Sequence, residues 1–284
     1  MNIKLENVSY IYNHGTPQEV TALNDVSLDI GGDAFIAIIG STGSGKSTLI
    51  QLLNGLEKPS SGRITFDGEE IYGKKDEKKL LRDLRRRVGL TFQYPEHQLF
   101  ESDVYADVAF GPKNLGSDKE DIDRRVKRAL AAVGIDEEFY SKSPFELSGG
   151  EMRRVAIAGI LAMEPGMLIF DEPTAGLDPL GKVEILNKLK KIQQDNHITV
   201  ILVSHNMEEV AAYADRVIAL NDGMVVYDLP VREIFSQIEG LESIGLMAPE
   251  VKYFAEELKA AGLDMDTDVI TVEEACRAIV EALK

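Results

Sequence analysis

Phe35-Ile36-Ala37-Ile38-Ile39-Gly40-Ser41-Thr42-Gly43-Ser44-Gly45-Lys46-Ser47 is the stretch that decides the fold of this chain. Its opening apolar run, without alternation, reads as a strand buried on both faces. The run enters a loop with glycines at 40, 43 and 45. Beyond it, Leu49, Leu52 and Leu53 share a face and predict a helix over 46–56. In a strand, glycine turn and helix, backbone N–H groups can point inward around phosphate oxygens. The helix start adds its positive dipole end. Lys46 suits the β- and γ-phosphates, and the Ser47 hydroxyl suits Mg²⁺. Gly40, Ser41, Thr42, Gly43, Ser44, Gly45, Lys46, Ser47 and Thr48 are therefore the expected triphosphate-binding residues.

A second stretch, Met167-Leu168-Ile169-Phe170-Asp171-Glu172, is an apolar strand with two carboxylates at its carboxyl end. Open α/β sheets bind their ligands at that end. Asp171 is expected to hold Mg²⁺ through water. Glu172 is placed to polarise an attacking water as general base, a role that contributes about 10²–10⁴-fold in rate.

Composition narrows the partners. The net charge is −17 with a pI near 4.7, which argues against nucleic acid as the main ligand. One basic run, Lys74–Arg87, carries Leu80, Leu81 and Leu84 on one side and reads as a solvated helix face. Cys276 is the single cysteine, so neither an intrachain disulfide nor a cysteine metal cluster is available, which fits a reducing compartment. Met1–Glu6 has no signal-peptide core, and no apolar run approaches the ~18 residues of a membrane span. If the chain serves transport, other chains must cross the membrane.

Further along, residues 3–12 and 23–30 read as strands, 62–71 as a hairpin piece and 88–92 as a short strand leading into Gln93. Ile122, Val126, Leu130 and Val133 share a face and predict a helix over 118–133, within a helical insertion of about 95–160. A helix over 151–163 follows Gly149-Gly150. The strand over 199–203 and a hairpin at Asn221-Asp222-Gly223 complete the core. Strands alternating with helices predict a mainly parallel α/β sheet with helices on both faces. From 231 onward the chain turns helical and acidic, with helices predicted over 251–263 and 271–283. Thr271 and Glu274 fit a capping box at the start of the second.

The order of these motifs resembles that of ABC-transporter ATPases over residues 1–230, with 231–284 as a small C-terminal helical extension. The resemblance implies a P-loop NTPase core, an N-terminal antiparallel β subdomain and an inserted helical subdomain. Gln93 matches the family glutamine that senses Mg²⁺ and the membrane partner. Ser148, Gly149 and Gly150 of Leu147–Glu151 match the signature that grips ATP held by a partner subunit. Glu151 departs from the glutamine common there. Ala175-Gly176-Leu177-Asp178 matches the loop that couples the two sites, and His205 the histidine that contacts the γ-phosphate. Tyr12 matches the aromatic that stacks on adenine, with Tyr10 as its rival. Stacking leaves ATP against GTP undetermined.

By this resemblance Glu172, His205, Gln93 and Lys46 are catalytic, and Ser47, Gln93 and Asp171 hold the metal, with ATP and Mg²⁺ as cofactors. Residues 92–100 and 152–159 are similar to those of energy-coupling-factor (ECF) transporter ATPases, of the A-prime branch. That likeness implies a peripheral protein on the cytoplasmic face of the cell membrane, paired with a second ABC ATPase. It also implies a transmembrane coupling subunit and a substrate-binding membrane subunit. The cargo would be a vitamin or other micronutrient. A self-pairing ATPase of a cobalt or nickel importer has a similar loop and is the alternative.

Overall fold

The computed structural model describes all of residues 1–284. In chain order the elements are β1 (Asn2–Tyr12), β2 (Val20–Gly31), β3 (Phe35–Gly40), α1 (Lys46–Leu53), β4 (Ser61–Phe66), β5 (Glu69–Glu70), α2 (Glu77–Arg87) and β6 (Val88–Thr91). Then come α3 (Val104–Asn114), α4 (Lys119–Val133), α5 (Gly149–Leu161), β7 (Met167–Asp171), α6 (Pro179–Asn196), β8 (Thr199–Val203), α7 (Met207–Tyr213), β9 (Arg216–Asn221) and β10 (Met224–Pro230). Four helices close the chain: α8 (Val231–Phe235), α9 (Ile238–Ser243), α10 (Glu250–Ala260) and α11 (Val272–Ala282).

Two sheets form the body. One has six strands in the order β10-β9-β3-β8-β7-β6, parallel except for β10. The other is antiparallel, in the order β2-β1-β4-β5. Alternation along β3 divides the interior. Ile36 and Ile38 face the apolar layer shared with β1, β2, α1 and α2, while Phe35, Ala37 and Ile39 face the layer covered by α3 to α7. The continuous apolar run is thus a strand buried from both sides. Mainly parallel core, antiparallel N-terminal sheet, helices between β6 and β7 and helical C-terminus all agree with the sequence reading.

Some local expectations shift. α1 ends at Leu53, not near 56; Gly55 adopts φ 71°, and the Asn54 side chain donates to Val88 O at 2.6 Å. α3 falls within the expected helical insertion, where the sequence pattern sets no bounds for it; it is capped by Asp103, whose carboxylate accepts from Ala106 N at 2.7 Å. The signature glycines are the first residues of α5 rather than lying before it. Thr271 caps α11, but Glu274 accepts from Ile270 N and Arg232 instead of completing the box. No helix is long and apolar enough to cross a membrane.

Residues after 230 are not uniformly peripheral. Ile234, Phe235, Leu241, Leu246 and Ala248 join the main core. α10 and α11 form a smaller cluster around Ala255, Met265, Val269 and Ala275.

Candidate nucleotide site

The loop from Gly40 to Ser47 joins the central strand β3 to α1, so its amides converge at the carboxyl edge of the parallel sheet. Gly45 has φ 102°, and a Cβ there would stand 2.5 Å from Ala22 O. No other residue type fits that turn without moving β2. Ser41, Thr42 and Gly43 are exposed, Thr48 is buried, and the buried Ser44 Oγ has no partner. Lys46 Nζ curls over the loop, donating to Gly40 O at 2.7 Å and Ser41 O at 2.8 Å. Burial lowers the Lys46 pKa, against the opposing pull of Glu172 and Asp171.

Those two carboxylates sit at the end of β7, two strands from β3. Burial raises the Asp171 pKa, Glu172 raises it further, and Lys46 opposes both. Glu172 leaves the strand with φ 50°. This left-handed backbone is uncommon for a non-glycine residue and clusters at functional sites. Its N–H donates to Val203 O at 3.0 Å, which fixes it to β8. Its carboxylate lies between two side chains: Gln93 Nε2 donates to Oε2 at 3.3 Å, and His205 Nδ1 lies 3.0 Å from Oε1. Gln93 and His205 come from residues that follow β6 and β8, the neighbours of β7. Sheet order therefore gathers three groups that are far apart in sequence.

A cation would find oxygen donors here: the Ser47 hydroxyl, the Asp171 carboxylate and the Gln93 amide oxygen, left free by the bond through nitrogen. Such a set fits Mg²⁺ held jointly with phosphate oxygens and water. No group of three or more His, Cys, Asp or Glu side chains could hold a metal alone.

The tyrosine rivals separate. Tyr10 OH donates to Glu57 at 2.5 Å, turning it from the loop. Tyr12 OH lies 3.1 Å from Thr48 Oγ1, so its ring borders the phosphate loop, packed edge-on against Tyr10 at 4.7 Å.

Ser148, Gly149 and Gly150 lie at the exposed start of α5, and none of their hydrogen bonds involves the loop of the same chain. Ser148 caps the helix in a full capping box with Glu151. Glu151 Oε2 accepts from the Ser148 N–H at 2.8 Å and its hydroxyl at 2.7 Å. The hydrogen bonds from the Ser148 side chain and backbone hold the Glu151 carboxyl below its ordinary pKa. Glu151 thus has a structural role within this chain. In the Ala175–Asp178 segment, Asp178 caps α6, accepting from Gly181 N at 2.9 Å.

Residues 23–175 match the family model described as ABC transporter. Over 284 residues, 100% of this chain and 98% of the relative, the chain is 54% identical to the energy-coupling factor transporter ATP-binding protein EcfA2 of Caldanaerobacter subterraneus subsp. tengcongensis. It belongs to the ECF transporter ATP-binding subunits, a branch of the ABC ATPases. An EcfA2 of Clostridium perfringens is 49% identical, over 100% of this chain and 99% of that one. Among solved structures, cbiO1 from Clostridium perfringens, part of the ABC transporter complex cbiONQ, gives a TM-score of 0.76 at 40% identity, covering 89% of this chain and 98% of that one. A dimeric ATP-binding cassette in a post-hydrolysis state, bound to ADP and Pi, gives 0.70 at 30% identity, covering 81% and 98%.

In this ECF ATPase the structure brings Gln93, Glu172 and His205 into contact and sets Lys46 near Asp171 and Glu172 in charge. Ser148, Gly149 and Gly150 stand apart from them in contact. Sequence reasoning gives Glu96 and Arg153 no role of their own, although both lie in stretches similar to ECF ATPases, and it passes over Thr174 and Glu209. Glu209 is buried and accepts from Thr174 Oγ1 at 3.0 Å and Ser204 Oγ at 3.1 Å. Nothing local in the sequence signals that carboxylate; an acidic residue on α7 reads as surface.

Proposed function

We propose that this ECF ATPase subunit binds ATP and Mg²⁺ through Gly40–Thr48, Asp171 and Gln93, stacks adenine on Tyr12, and hydrolyses ATP with Glu172 as general base. Mg²⁺, when bound, neutralises charge on the β- and γ-phosphates. Lys46 adds a fixed positive charge there. Glu172 takes a proton from the attacking water, and His205 orients that carboxylate while its other ring nitrogen is available to the γ-phosphate. Ser148, Gly149 and Gly150 contact the ATP of a paired ATPase.

One observation carries this reading: the Glu172 carboxylate is held by Gln93 and His205 beside a glycine loop that curls around Lys46. A base fixed from two sides needs little reorganisation at the moment of reaction.

Hydrolysis energises uptake of a vitamin or other micronutrient through a transmembrane coupling subunit and a substrate-binding membrane subunit, with this chain peripheral on the cytoplasmic face. The unit 1–230 is the ATPase domain, its 95–160 insertion meets the coupling subunit, and 231–284 serves in ATPase pairing. Exposed Phe100 and Phe110, in edge contact at 4.9 Å, support the first of these surfaces. The half-exposed Phe254 on α10 and exposed Val272 and Val280 of α11 support the second.

A tagged pull-down from detergent-solubilised native membranes tests the assembly. A second, different ABC ATPase with a coupling subunit and several small membrane proteins is the expected result. One fixed set of membrane subunits around this ATPase alone would replace it with a dedicated metal importer. Absence of any membrane protein would overturn the transport reading.

A further inference from the structure

Arg153 stands on α5, directly beyond the glycine-led first turn, and only 3% of it is exposed. A buried guanidinium needs partners for its donors. Nε and Nη2 donate to the two carboxylate oxygens of Glu96 at 3.0 and 2.6 Å. Nη1 donates to two backbone carbonyls, Pro173 O at 2.8 Å and Ala175 O at 2.9 Å. One side chain therefore ties three segments: the turn just after Gln93, the signature helix, and the segment just after Glu172.

The neighbourhood reinforces the tie. Burial pushes the Glu96 carboxyl up, but the Arg153 hydrogen bonds and charge bring it below its ordinary value. The Tyr94 ring lies 6.0 Å from the guanidinium and packs on Gly176, where an added Cβ would stand 3.6 Å from Tyr94 Cε1. Between the two carbonyls held by Arg153 sits Thr174, whose hydroxyl donates to Glu209. Glu209 also accepts from Ser204, the residue before His205. Two sets of hydrogen bonds, one from Glu96 through Arg153 to the Pro173 and Ala175 carbonyls and one from Thr174 through Glu209 to the residue flanking His205, are joined by the backbone at 173–175.

We propose that Arg153 is a positioning residue that couples the segment after Gln93 to the segment after Glu172, so that displacement of either moves the other. The proposal rests on the reading of Glu172 as general base and adds a residue that acts through the backbone around it. The fork geometry is what the role requires: a planar guanidinium grips both oxygens of a carboxylate and two carbonyls at once, four hydrogen bonds that the three donors of an ammonium cannot all make.

The test compares wild type with Glu96→Gln, Arg153→Lys and the double variant. Hydrogen–deuterium exchange of the isolated chain reads the 174–178 amides, and the assembled complex gives kcat and KM for ATP. Each single change is expected to speed exchange at 174–178 and to lower kcat about tenfold, since small misplacements near the chemistry are costly. KM should stay within about twofold, because the phosphate loop is untouched. The double variant should resemble the singles, because both remove one shared tie. A purely structural role would lower the melting temperature without this kcat-against-KM split. Unchanged exchange at 174–178, unchanged kcat, or additive losses would overturn the proposal. Should Arg153→Lys fail to fold, Glu96→Gln carries the test by the same readouts. A wild-type complex with no ATP turnover would overturn the proposed function instead, and the exchange result would still decide the role of Arg153.

Discussion

Glu172 and His205 form a hydrogen-bonded pair, with Oε1 3.0 Å from Nδ1, although they belong to different loops at the ends of adjacent strands. The second carboxylate oxygen faces Gln93. A glutamine in place of Glu172 would fill the same space and keep an amide where the carboxylate stood. Glu172→Gln is therefore expected to bind ATP as wild type does and to lose turnover by about 10²–10⁴-fold, the usual worth of a general base. Equilibrium binding of a fluorescent ATP analogue, alongside phosphate release, checks the split. A matched loss of both would count against the role.

Lys46 is different, because in the proposed function its charge meets phosphate in the ground state as well as in the transition state. Lys46→Ala is expected to weaken ATP binding and turnover together. Binding titration and steady-state kinetics on the same preparation measure this. Normal binding with normal turnover would remove Lys46 from the site.

Gly45 tests the loop itself. An alanine there would place Cβ 2.5 Å from Ala22 O and 2.7 Å from Leu23 Cδ2, at a φ of 102°. Gly45→Ala is expected to cost about 1–3 kcal/mol of stability from backbone strain and to abolish measurable ATP binding. Chemical denaturation and nucleotide titration check the two halves separately.

The capping box gives a pH prediction. Hydrogen bonds from Ser148 hold the Glu151 pKa below the ordinary 4.5. A carboxylate with a depressed folded pKa contributes stability that is present above its unfolded value and is lost as pH falls through the folded one. Glu151→Gln, which cannot titrate, should therefore lie below wild type in melting temperature at neutral pH. The gap should close as the pH falls below 4.5. A gap independent of pH would show that the charge has no part in the cap.

Much of the architecture is legible in the sequence because its signals are local. Unbroken apolar runs at 35–39, 167–170 and 200–203 mark strands covered on both faces, and the glycine loop dictates the turn from β3 into α1. α3 is not legible, since Gly111 and Pro112 read as breakers; the Asp103 cap and the buried Val104, Val108 and Ala109 hold the helix regardless. The capping box expected at Thr271 is lost because Arg232 draws Glu274 aside; the full box stands at Ser148, whose motif reads in sequence only as a contact for a partner. Glu96 and Arg153 lie 57 residues apart, so only the fold shows them as a pair.

The strand that leads into Gln93 lies at one edge of its sheet: β6 pairs with β7 alone, whereas β3, which carries the glycine loop, is flanked on both sides. Tilting β6 strains a single ladder of hydrogen bonds; tilting β3 would strain two. The molecule is thus built like a gate hung on its frame. In the proposed function, the leaf that meets the membrane partner hangs at the rim, and the cradle that must stay true is set in the middle of the wall.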